Sequence, residues 1–302
     1  MKTRLAFGMS AVLLLAGIAN AQQASQDQPT GDLVPPTSAS DFTASQLDAV
    51  LGGSWRSAPN KARDIYRHPK ATLQFFGLQP DQTVIEITPG AGWYSEILAP
   101  LLRDNGHYIA AVTDNSAEAK QNVATLRAKF AADPAEYGKA TIATFNPQTP
   151  VLGPAASADM VLTFRNVHNW TMAGTAPAMF KAFFAVLKPG GVLGVVDHRA
   201  ASGATLDSVK ESGYLPTDYV IKLATEAGFK LDEQSEINAN PKDTKDYPKG
   251  VWTLPPTLTL GDQDRAKYLA IGESDRMTLR FVKTGVDKKP ASMPAPSGSA
   301  AR

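Results

Sequence analysis

Val84-Ile85-Glu86-Ile87-Thr88-Pro89-Gly90-Ala91-Gly92-Trp93-Tyr94-Ser95 is the stretch of the chain that decides its fold. A short apolar run ends in an acidic residue, a turn rich in proline and glycine follows, and an amphipathic segment continues over residues 94–102. This order predicts a strand, a tight turn and a helix, the arrangement in which an α/β protein binds a nucleotide-like ligand beyond its first strand. Because Gly90 and Gly92 have no Cβ, the backbone can turn sharply there and approach a ligand closely. A Gly-x-Gly turn can also be a plain strand-to-helix connection, so the rest of the chain decides between the two.

On both sides of that stretch, short apolar runs alternate with segments of helical spacing. We predict strands over residues 83–88, 107–113, 140–145, 158–164, 191–196, 230–237 and 277–283, and helices over residues 61–76 (interrupted near Pro69), 94–102, 117–131, 176–187 and 217–227. Strands that alternate with helices form a mostly parallel sheet that is covered on both faces. The prediction is a doubly wound α/β domain with a seven-stranded, mostly parallel sheet and an N-terminal helical cap.

The two ends of the chain differ in composition from its middle. Residues 1–21 predict a cleavable export signal, with Lys2 and Arg4 before an apolar run and Ala19-Asn20-Ala21 as the cleavage site. Residues 22–45 and 288–302 are polar and rich in proline, which predicts a disordered linker and a disordered tail around an α/β domain at 46–287. We therefore expect an exported protein, periplasmic or secreted, and no stable membrane insertion, because no later run is long and apolar enough to cross a bilayer.

The charge and the cysteine content exclude several classes of function. The net charge of +1 falls slightly below zero once Lys2 and Arg4 are removed with the signal. A near-neutral chain lacks the basic patches typical of nucleic-acid binding, so we expect no nucleic-acid partner. The chain has no cysteine, which excludes disulfides and thiolate catalysis and leaves stability to a hydrophobic core. The oligomeric state stays open at this stage.

Ionisable side chains follow four of the predicted strands at the point where each strand ends. They are Glu86 at the first strand, Asp114 after the second, Arg165 and His168 after the fourth, and Asp197 and His198 after the fifth. In doubly wound sheets the ligand lies beyond the carboxyl ends of the strands, at the switch in strand order. These residues are therefore candidates for binding and catalysis.

Three motifs make the chain resemble the class I S-adenosylmethionine-dependent methyltransferases. They are Glu86-Ile-Thr-Pro-Gly-Ala-Gly-Trp-Tyr-Ser-Glu-Ile-Leu98, Ala158-Asp-Met-Val-Leu-Thr-Phe-Arg-Asn-Val-His-Asn-Trp170 and Leu187-Lys-Pro-Gly-Gly-Val-Leu193, and their order and spacing are more specific than any one of them. The resemblance covers residues 63–283 and is closest to a bacterial family usually described only as predicted methyltransferases, many with export signals. It implies a class I methyltransferase-like Rossmann fold, S-adenosyl-L-methionine as cofactor and a small-molecule methyl acceptor.

The resemblance also implies roles for individual residues. Glu86, with the turn through Gly90 and Gly92, would hold the amino-acid end of the cofactor. Asp114 would accept hydrogen bonds from the ribose hydroxyls, and Asn166 would border the transferring methyl group. Structural interpretations stand beside these roles, because Glu86 could cap its turn and Asp114 could cap the following helix.

The chain departs from the family pattern at two places. Thr88 stands where the family usually has glycine, in the part of the turn next to the cofactor. Phe145 and Asn146 stand where an acidic residue often meets the adenine amino group. Phe145 could stack on adenine there and Asn146 could hydrogen-bond it.

The ends of the fourth and fifth strands are expected to lie close together, because the two strands are neighbours in this fold, and Asn166, His168, Asp197 and His198 could then line one pocket. A neutral imidazole with a carboxylate partner can act as a general base, so His168, Asp197 and His198 are the candidate catalytic residues. Two histidines and an aspartate can also bind a metal, although we expect none here. The third alternative is structural, with His168 packed beside Trp170 and His198 bonded to backbone.

The leading hypothesis is an exported methyltransferase, and two others stay open. S-adenosylmethionine is made in the cytoplasm, so an exported chain with this fold could instead be a binding or sensing protein without turnover. Thr88 and Asn146 favour that alternative, whereas Glu86 and Asp114 favour the enzyme. A nucleotide-dependent oxidoreductase that holds a pyrophosphate at the Gly-x-Gly turn is the third hypothesis.

Overall fold

The computed structural model describes residues 39–285, with side chains from residue 43 onward. The export signal predicted for residues 1–21 and the tail predicted for residues 288–302 lie outside the described residues, as does the linker up to residue 38. The linker was expected to reach residue 45, but helix α1 begins at Ala39. Leu47 in this helix is fully buried against the sheet side of the domain, so the ordered chain starts earlier than its polar composition predicts.

Seven strands form one sheet in the order β3-β2-β1-β4-β5-β7-β6. The strands are β1 (Thr83–Ile87), β2 (His107–Val112), β3 (Thr141–Thr144), β4 (Ala158–Phe164), β5 (Leu187–His198), β6 (Lys230–Ser235) and β7 (Arg276–Val282). Neighbouring strands from β3 to β5 are parallel, and β7 is antiparallel to both β5 and β6. The strand order reverses between β1 and β4, which is the switch point where doubly wound sheets bind ligands. The predicted fold class is confirmed.

Helices cover both faces of this sheet. They are α1 (Ala39–Gly52), α2 (Ala58–Lys61), α3 (Asp64–Arg67), α4 (Pro69–Phe75), α5 (Ser95–Leu102), α6 (Ala117–Ala132), α7 (Pro134–Tyr137), α8 (Val167–Met172), α9 (Ala176–Val186), α10 (Leu206–Val209), α11 (Thr217–Glu226) and α12 (Arg265–Ile271), with 3-10 turns at Lys210–Ser212 and Gly250–Thr253. None of these helices in the described part of the chain is long and apolar enough to span a membrane.

The core has two halves, one on each face of the sheet. Val84 in β1 packs with α1, α4 and α5, whereas the next residue, Ile85, packs with α9 and α11. Met160 and Val161 in β4 divide in the same way. This alternation follows from the two-residue period of a strand, and each such fully buried side chain contributes about 1.5–3 kcal/mol to stability. Both faces are apolar because both are covered, as expected for a parallel sheet.

Short elements that have little periodicity differ most from the prediction. Helix α8 begins three residues after the end of β4, in a stretch for which we predicted no element, and the segment 238–274, also without a predicted element, contains α12. Strand β5 begins at Leu187, four residues earlier than predicted. The register with β4 shifts between Ala158 and Met160, so the Pro189-Gly190-Gly191 segment forms an irregularity inside the strand.

Candidate functional site

A groove runs along the carboxyl ends of β4, β1, β2 and β3, and we refer to it as the central groove. It consists of three adjoining clefts of about 330, 180 and 350 Å³. The first two share Thr88, Gly90, Glu118 and Asn122, and the last two share Asn115. The switch point between β1 and β4 lies within it, so the groove is in the expected place for a ligand.

Glu86 lines the first cleft with one carboxylate oxygen held from behind. Oε2 accepts a 2.6 Å hydrogen bond from the hydroxyl of Tyr108, and Ser95 lies next to both. Oε1 makes no hydrogen bond to any residue in the described range. Burial raises the pKa of Glu86 to about 7, against the lowering effect of the two hydroxyls. The side chain therefore bonds Tyr108 and Ser95 rather than capping its turn, which leaves one oxygen for a ligand.

The turn after β1 brings the backbone into the groove through three left-handed residues. Thr88, Gly90 and Gly92 have φ values of 51°, 59° and 84°. Glycine adopts this region freely, but for a β-branched residue such as Thr88 it is strained. A Cβ at Gly90 would meet no atom within 4 Å, whereas one at Gly92 would lie 2.8 Å from the side chain of Leu126. Oγ1 of Thr88 is buried and has no hydrogen-bond partner among the described residues.

Asp114 follows β2 and lines the cleft at the far end of the groove. The cap of α6 is Ser116, whose hydroxyl accepts a 3.0 Å hydrogen bond from the amide of Ala119. Asp114 is exposed and makes no hydrogen bond to a described side chain or backbone group. The competing interpretation of Asp114 as a helix cap is therefore wrong, and its carboxylate is available to a ligand.

Phe145 and Asn146 lie beside Asp114 at the same end of the groove. Phe145 is buried in the core and also lines the cleft. Oδ1 of Asn146 accepts a 2.9 Å hydrogen bond from the amide of Gln148. One polar atom of Asn146 is thus used by its own loop, while its amide nitrogen keeps its donors.

Asn166 lies at the opposite end, where it joins β1 to β4. Its Nδ2 donates a 2.9 Å hydrogen bond to the carbonyl of Ile87 and is 3.4 Å from Oγ1 of Thr163. The residue is buried and lines the first cleft. Its amide therefore fixes the separation of the two strands at the switch point.

His168, Asp197 and His198 lie together in one buried cluster that is outside the clefts of the central groove. The two imidazole rings lie 4.8 Å apart, and Nδ1 of His168 is 2.9 Å from Oδ1 of Asp197. All three are buried, and none of them lines the three clefts of the central groove in the described structure. In the structural alternative His198 bonds backbone; its ring instead pairs, through Nδ1, with Oγ of Ser274 at 2.5 Å.

The hydrogen bonds of Asp197 limit what this buried cluster can do. Oδ2 accepts from the amide of Val167 at 2.7 Å, and Oδ1 accepts from the amide of His198 at 2.7 Å as well as lying near His168. Burial, followed by the nearby His168 and the arginines, holds the pKa of His198 well below its usual value. The ligand atoms of the three residues lie within 4.8 Å of one another, yet only the two Nε2 atoms are unused. Catalytic zinc sites have three protein ligands, so the cluster matches a structural network better than a metal site.

Four arginines surround one carboxylate at the end of the groove next to Asn166. Nε of Arg63 is 2.8 Å and Nε of Arg67 is 3.1 Å from the carboxylate of Glu273, and Nη1 of Arg276 is 3.2 Å from it. Arg165 completes the group: its φ is 59°, its backbone amide donates to the carbonyl of Val196, and its guanidinium makes no hydrogen bond or ion pair to a described residue. Arg63, Arg67 and Arg165 line the first cleft.

The electrostatics of this group are unbalanced. Burial alone would raise the pKa of Glu273, but Arg67, Arg276, Arg165 and Arg63 together lower it to about 2. Burial and then the charge of Arg165 lower the pKa of Arg67 to about 9. Burial also lowers the pKa of Arg165, to about 10. For both arginines burial is the largest cause, because it disfavours the charged form, and the positive charges of neighbouring arginines add to it.

Only part of this arginine group can be recognised from the sequence. Arg63 and Arg67 are four residues apart in a predicted helix, a spacing that puts both on one face. Arg165 is an ionisable residue at a strand end. Glu273 and Arg276 come from the segment before β7, whose position in the sheet between β5 and β6 no local pattern reveals. Tyr108 was missed for a different reason, since a buried tyrosine in a strand reads as core.

Comparison with known proteins identifies the fold. No family model and no curated protein sequence matches the chain. A SAM-dependent methyltransferase from Aquifex aeolicus is similar in structure, with 14% identity, a TM-score of 0.51, and coverage of 80% of this chain and 98% of that one. The (4+2)-cyclase SpnF is similar too, with 16% identity, a TM-score of 0.52, and coverage of 81% of this chain and 94% of that one. The chain therefore has the fold of the class I SAM-dependent methyltransferases.

Proposed function

We propose that this protein binds S-adenosylmethionine in the central groove and transfers its methyl group to a small-molecule acceptor. The observation that carries the proposal is the order of uncommitted polar groups along the groove. One oxygen of Glu86 at β1, the hydroxyl of Thr88 that has no partner among the described residues and the exposed carboxylate of Asp114 after β2 lie in sequence along the groove, from the switch point to its far end. Carboxylates there suit an ammonium group and a ribose, and the core side chain of Phe145 suits a base at the far end.

When bound, S-adenosylmethionine supplies an electrophilic methyl group on a sulfonium. Glu86 and the strained turn would hold the amino-acid end, and Asp114 would fix the ribose. Asn166 shapes the wall between β1 and β4 beside the first cleft. Methyl transfer depends mainly on alignment of donor and acceptor, so these residues act by position. His168, Asp197 and His198, the residues predicted to be catalytic, would instead support that wall structurally.

The first test is calorimetric titration of the chain from Gln22 onward with S-adenosylmethionine, S-adenosylhomocysteine and NAD. We expect micromolar binding of the first two and loss of that binding in Asp114→Ala. Binding of NAD alone would support an oxidoreductase instead. A folded protein that binds none of the three would contradict the proposed cofactor.

A binding protein without turnover is the second candidate function. The specific observation for it is that the three residues predicted to be catalytic do not line the groove. Incubation with S-adenosylmethionine and a panel of small acids and amines separates the two candidates. Formation of S-adenosylhomocysteine with any acceptor supports the enzyme, and tight binding without product from any of them supports the binding protein.

We also propose that the protein is exported, on the basis of the signal pattern in residues 1–21. Mass spectrometry of the protein recovered from cells that express the full chain tests this. We expect an N-terminus at Gln22 in the fraction outside the cytoplasm. An intact Met1 in cytoplasm alone would contradict export.

A further inference from the structure

The arginine end of the central groove has donors that the protein itself does not satisfy. Arg67 is only 5% exposed, and its Nη2 is buried without a hydrogen-bond partner in the described residues. Its guanidinium lies 4.6 Å from the ring centroid of Trp93, which fixes its plane. Arg165 lines the same cleft, and its guanidinium makes no hydrogen bond or ion pair to a described residue. A buried donor without a partner is costly, so such an arrangement indicates a ligand.

The charges at this end point to an anion. Glu273 is the one carboxylate in the described structure that forms ion pairs with this group, and it pairs with three of the four guanidinium groups, those of Arg63, Arg67 and Arg276. Glu86 and Glu118 also line the cleft; Oε2 of Glu86 is held by Tyr108, and Glu118 is exposed. The planar fork of a guanidinium matches the two oxygens of a carboxylate or phosphate.

We propose that this end of the groove, defined by Arg63, Arg67 and Arg165, binds an oxyanion group of the methyl acceptor. The acceptor is thus a small carboxylic or phosphoric acid, an inference that rests on the proposed methyltransferase function. The methyl donor does not account for the site by itself. It carries a single carboxylate together with two positive groups, so its binding leaves the excess positive charge in place.

The arginines also lie at the correct end of the groove for this role. Asp114, which would hold the ribose, is at the opposite end, and Asn166 borders the cleft that contains the arginines. An acid held there places its remaining atoms at the switch point, beside the residue expected to border the methyl group. Arg67 and Arg165 are therefore specificity residues for the acceptor.

The test uses the mature chain saturated with S-adenosylhomocysteine and titrated with inorganic phosphate or with succinate. Chloride keeps the ionic strength constant, so general screening is the same throughout. We expect at least one of the two anions to bind with S-adenosylhomocysteine in place and to raise the melting temperature. Whichever anion binds more tightly identifies the acid as a phosphate or a carboxylate.

Arg165→Gln is the test variant, and Arg127→Gln is its matched control on the exposed face of α6. We expect Arg165→Gln to weaken anion binding at least tenfold and to change S-adenosylhomocysteine affinity less than threefold, with Arg127→Gln unchanged in both. Without ligands, Arg165→Gln should melt about 2–4 °C higher, because like-charge repulsion is removed. This gain also shows that the variant folds.

Two results would overturn the assignment. Displacement of the anion by S-adenosylhomocysteine would mean that the arginines hold the donor carboxylate, and equal anion affinity in Arg165→Gln would mean that they hold no ligand. Anion binding without any S-adenosylhomocysteine binding would contradict the proposed function itself, and the assignment to an acceptor with it. Failure of the two proposals is therefore distinguishable.

Discussion

Tyr108 donates a 2.6 Å hydrogen bond to Oε2 of Glu86 across the first two strands of the sheet. Tyr108 pairs with Val84 in the parallel register of these strands, and Glu86 is two residues further along on the same face. The sheet itself therefore brings Glu86 and Tyr108 together. The bond holds a buried carboxylate in a fixed orientation. Because burial keeps the pKa of Glu86 at about 7, the ionisation of this group falls within the range in which the protein is studied.

Binding of S-adenosylhomocysteine should therefore depend on pH near neutrality. The ammonium group of the ligand pairs with the ionised form of Glu86, so affinity should rise with pH up to about 7 and be constant above it. Below that value the change is up to about tenfold per pH unit. Calorimetric titrations from pH 5.5 to 8.5 measure it, and a flat profile would contradict pairing with Glu86.

Two variants give this profile its controls. Glu86→Gln should bind more weakly and without the pH dependence, and Tyr108→Phe should move the midpoint to higher pH because a bond to the ionised form is lost. In the free protein the raised pKa of Glu86 stabilises the fold fully below its ordinary value of 4.5, and this contribution is lost as the pH rises through about 7. Urea unfolding of the wild type and Glu86→Gln at pH 4.5 and 8 should show that difference.

Asp114→Ala should weaken S-adenosylmethionine binding by about 10- to 100-fold, the cost of losing charged hydrogen bonds to a ribose. It should leave stability unchanged because Asp114 is exposed and does not cap α6. Ser116→Ala is the matched variant, since Ser116 is the cap, and it should lose about 1 kcal/mol of unfolding free energy with unchanged affinity. An exchange of these two phenotypes would mean that Asp114 acts on the helix and does not bind ribose.

Thr88→Gly should raise stability and lower affinity. Glycine relieves the strain of a β-branched residue at φ 51° and removes a buried hydroxyl without a partner, for a net gain of about 1 kcal/mol. The same hydroxyl is the group we expect to meet the cofactor, so binding should fall about three- to tenfold. Thr88→Ser keeps the hydroxyl and should keep the affinity. Denaturant titrations and calorimetry of the two variants measure both effects, and a stability loss in Thr88→Gly would contradict the strain.

Asp197→Asn should destabilise the protein by about 3 kcal/mol. The carboxylate accepts bonds from the amides of Val167 and His198, and an amide side chain would direct a donor at one of them. Asp207→Asn, at an exposed position in α10, serves as the control. Urea unfolding measures the loss, and a stable Asp197→Asn variant that fails only in catalysis would favour the catalytic role of the cluster.

Zinc gives an independent test of the same cluster. Because the oxygens of Asp197 are already bonded, neither a chelator nor equimolar zinc should change the melting temperature of the protein. A one-to-one rise in stability with zinc, lost in His168→Gln, would identify a metal site.

The sequence predicted the sheet well because period-2 and helical patterns are strong where elements are fully covered. Residues at a strand end, such as Glu86 and Asp114, could be located because a strand predicted from the sequence also fixes where its last residues lie in the sheet. The position of His168 relative to the groove could not be predicted, because His168 lies in helix α8 and no sequence pattern indicated that helix. The roles of Tyr108 and Glu273 could not be predicted either, since they depend on neighbours that are distant in the chain.

The ion pairs of Glu273 join residues separated by 210 positions in the chain. Arg63 and Arg67 are among the first residues of the ordered domain to be synthesised, and Glu273 and Arg276 are among the last. Until the final strand has docked, Arg63 and Arg67 lack the carboxylate with which they pair. A nascent or truncated chain therefore leaves these two guanidinium groups unpaired, and the ion-pair network at this end of the groove forms only when the domain is complete.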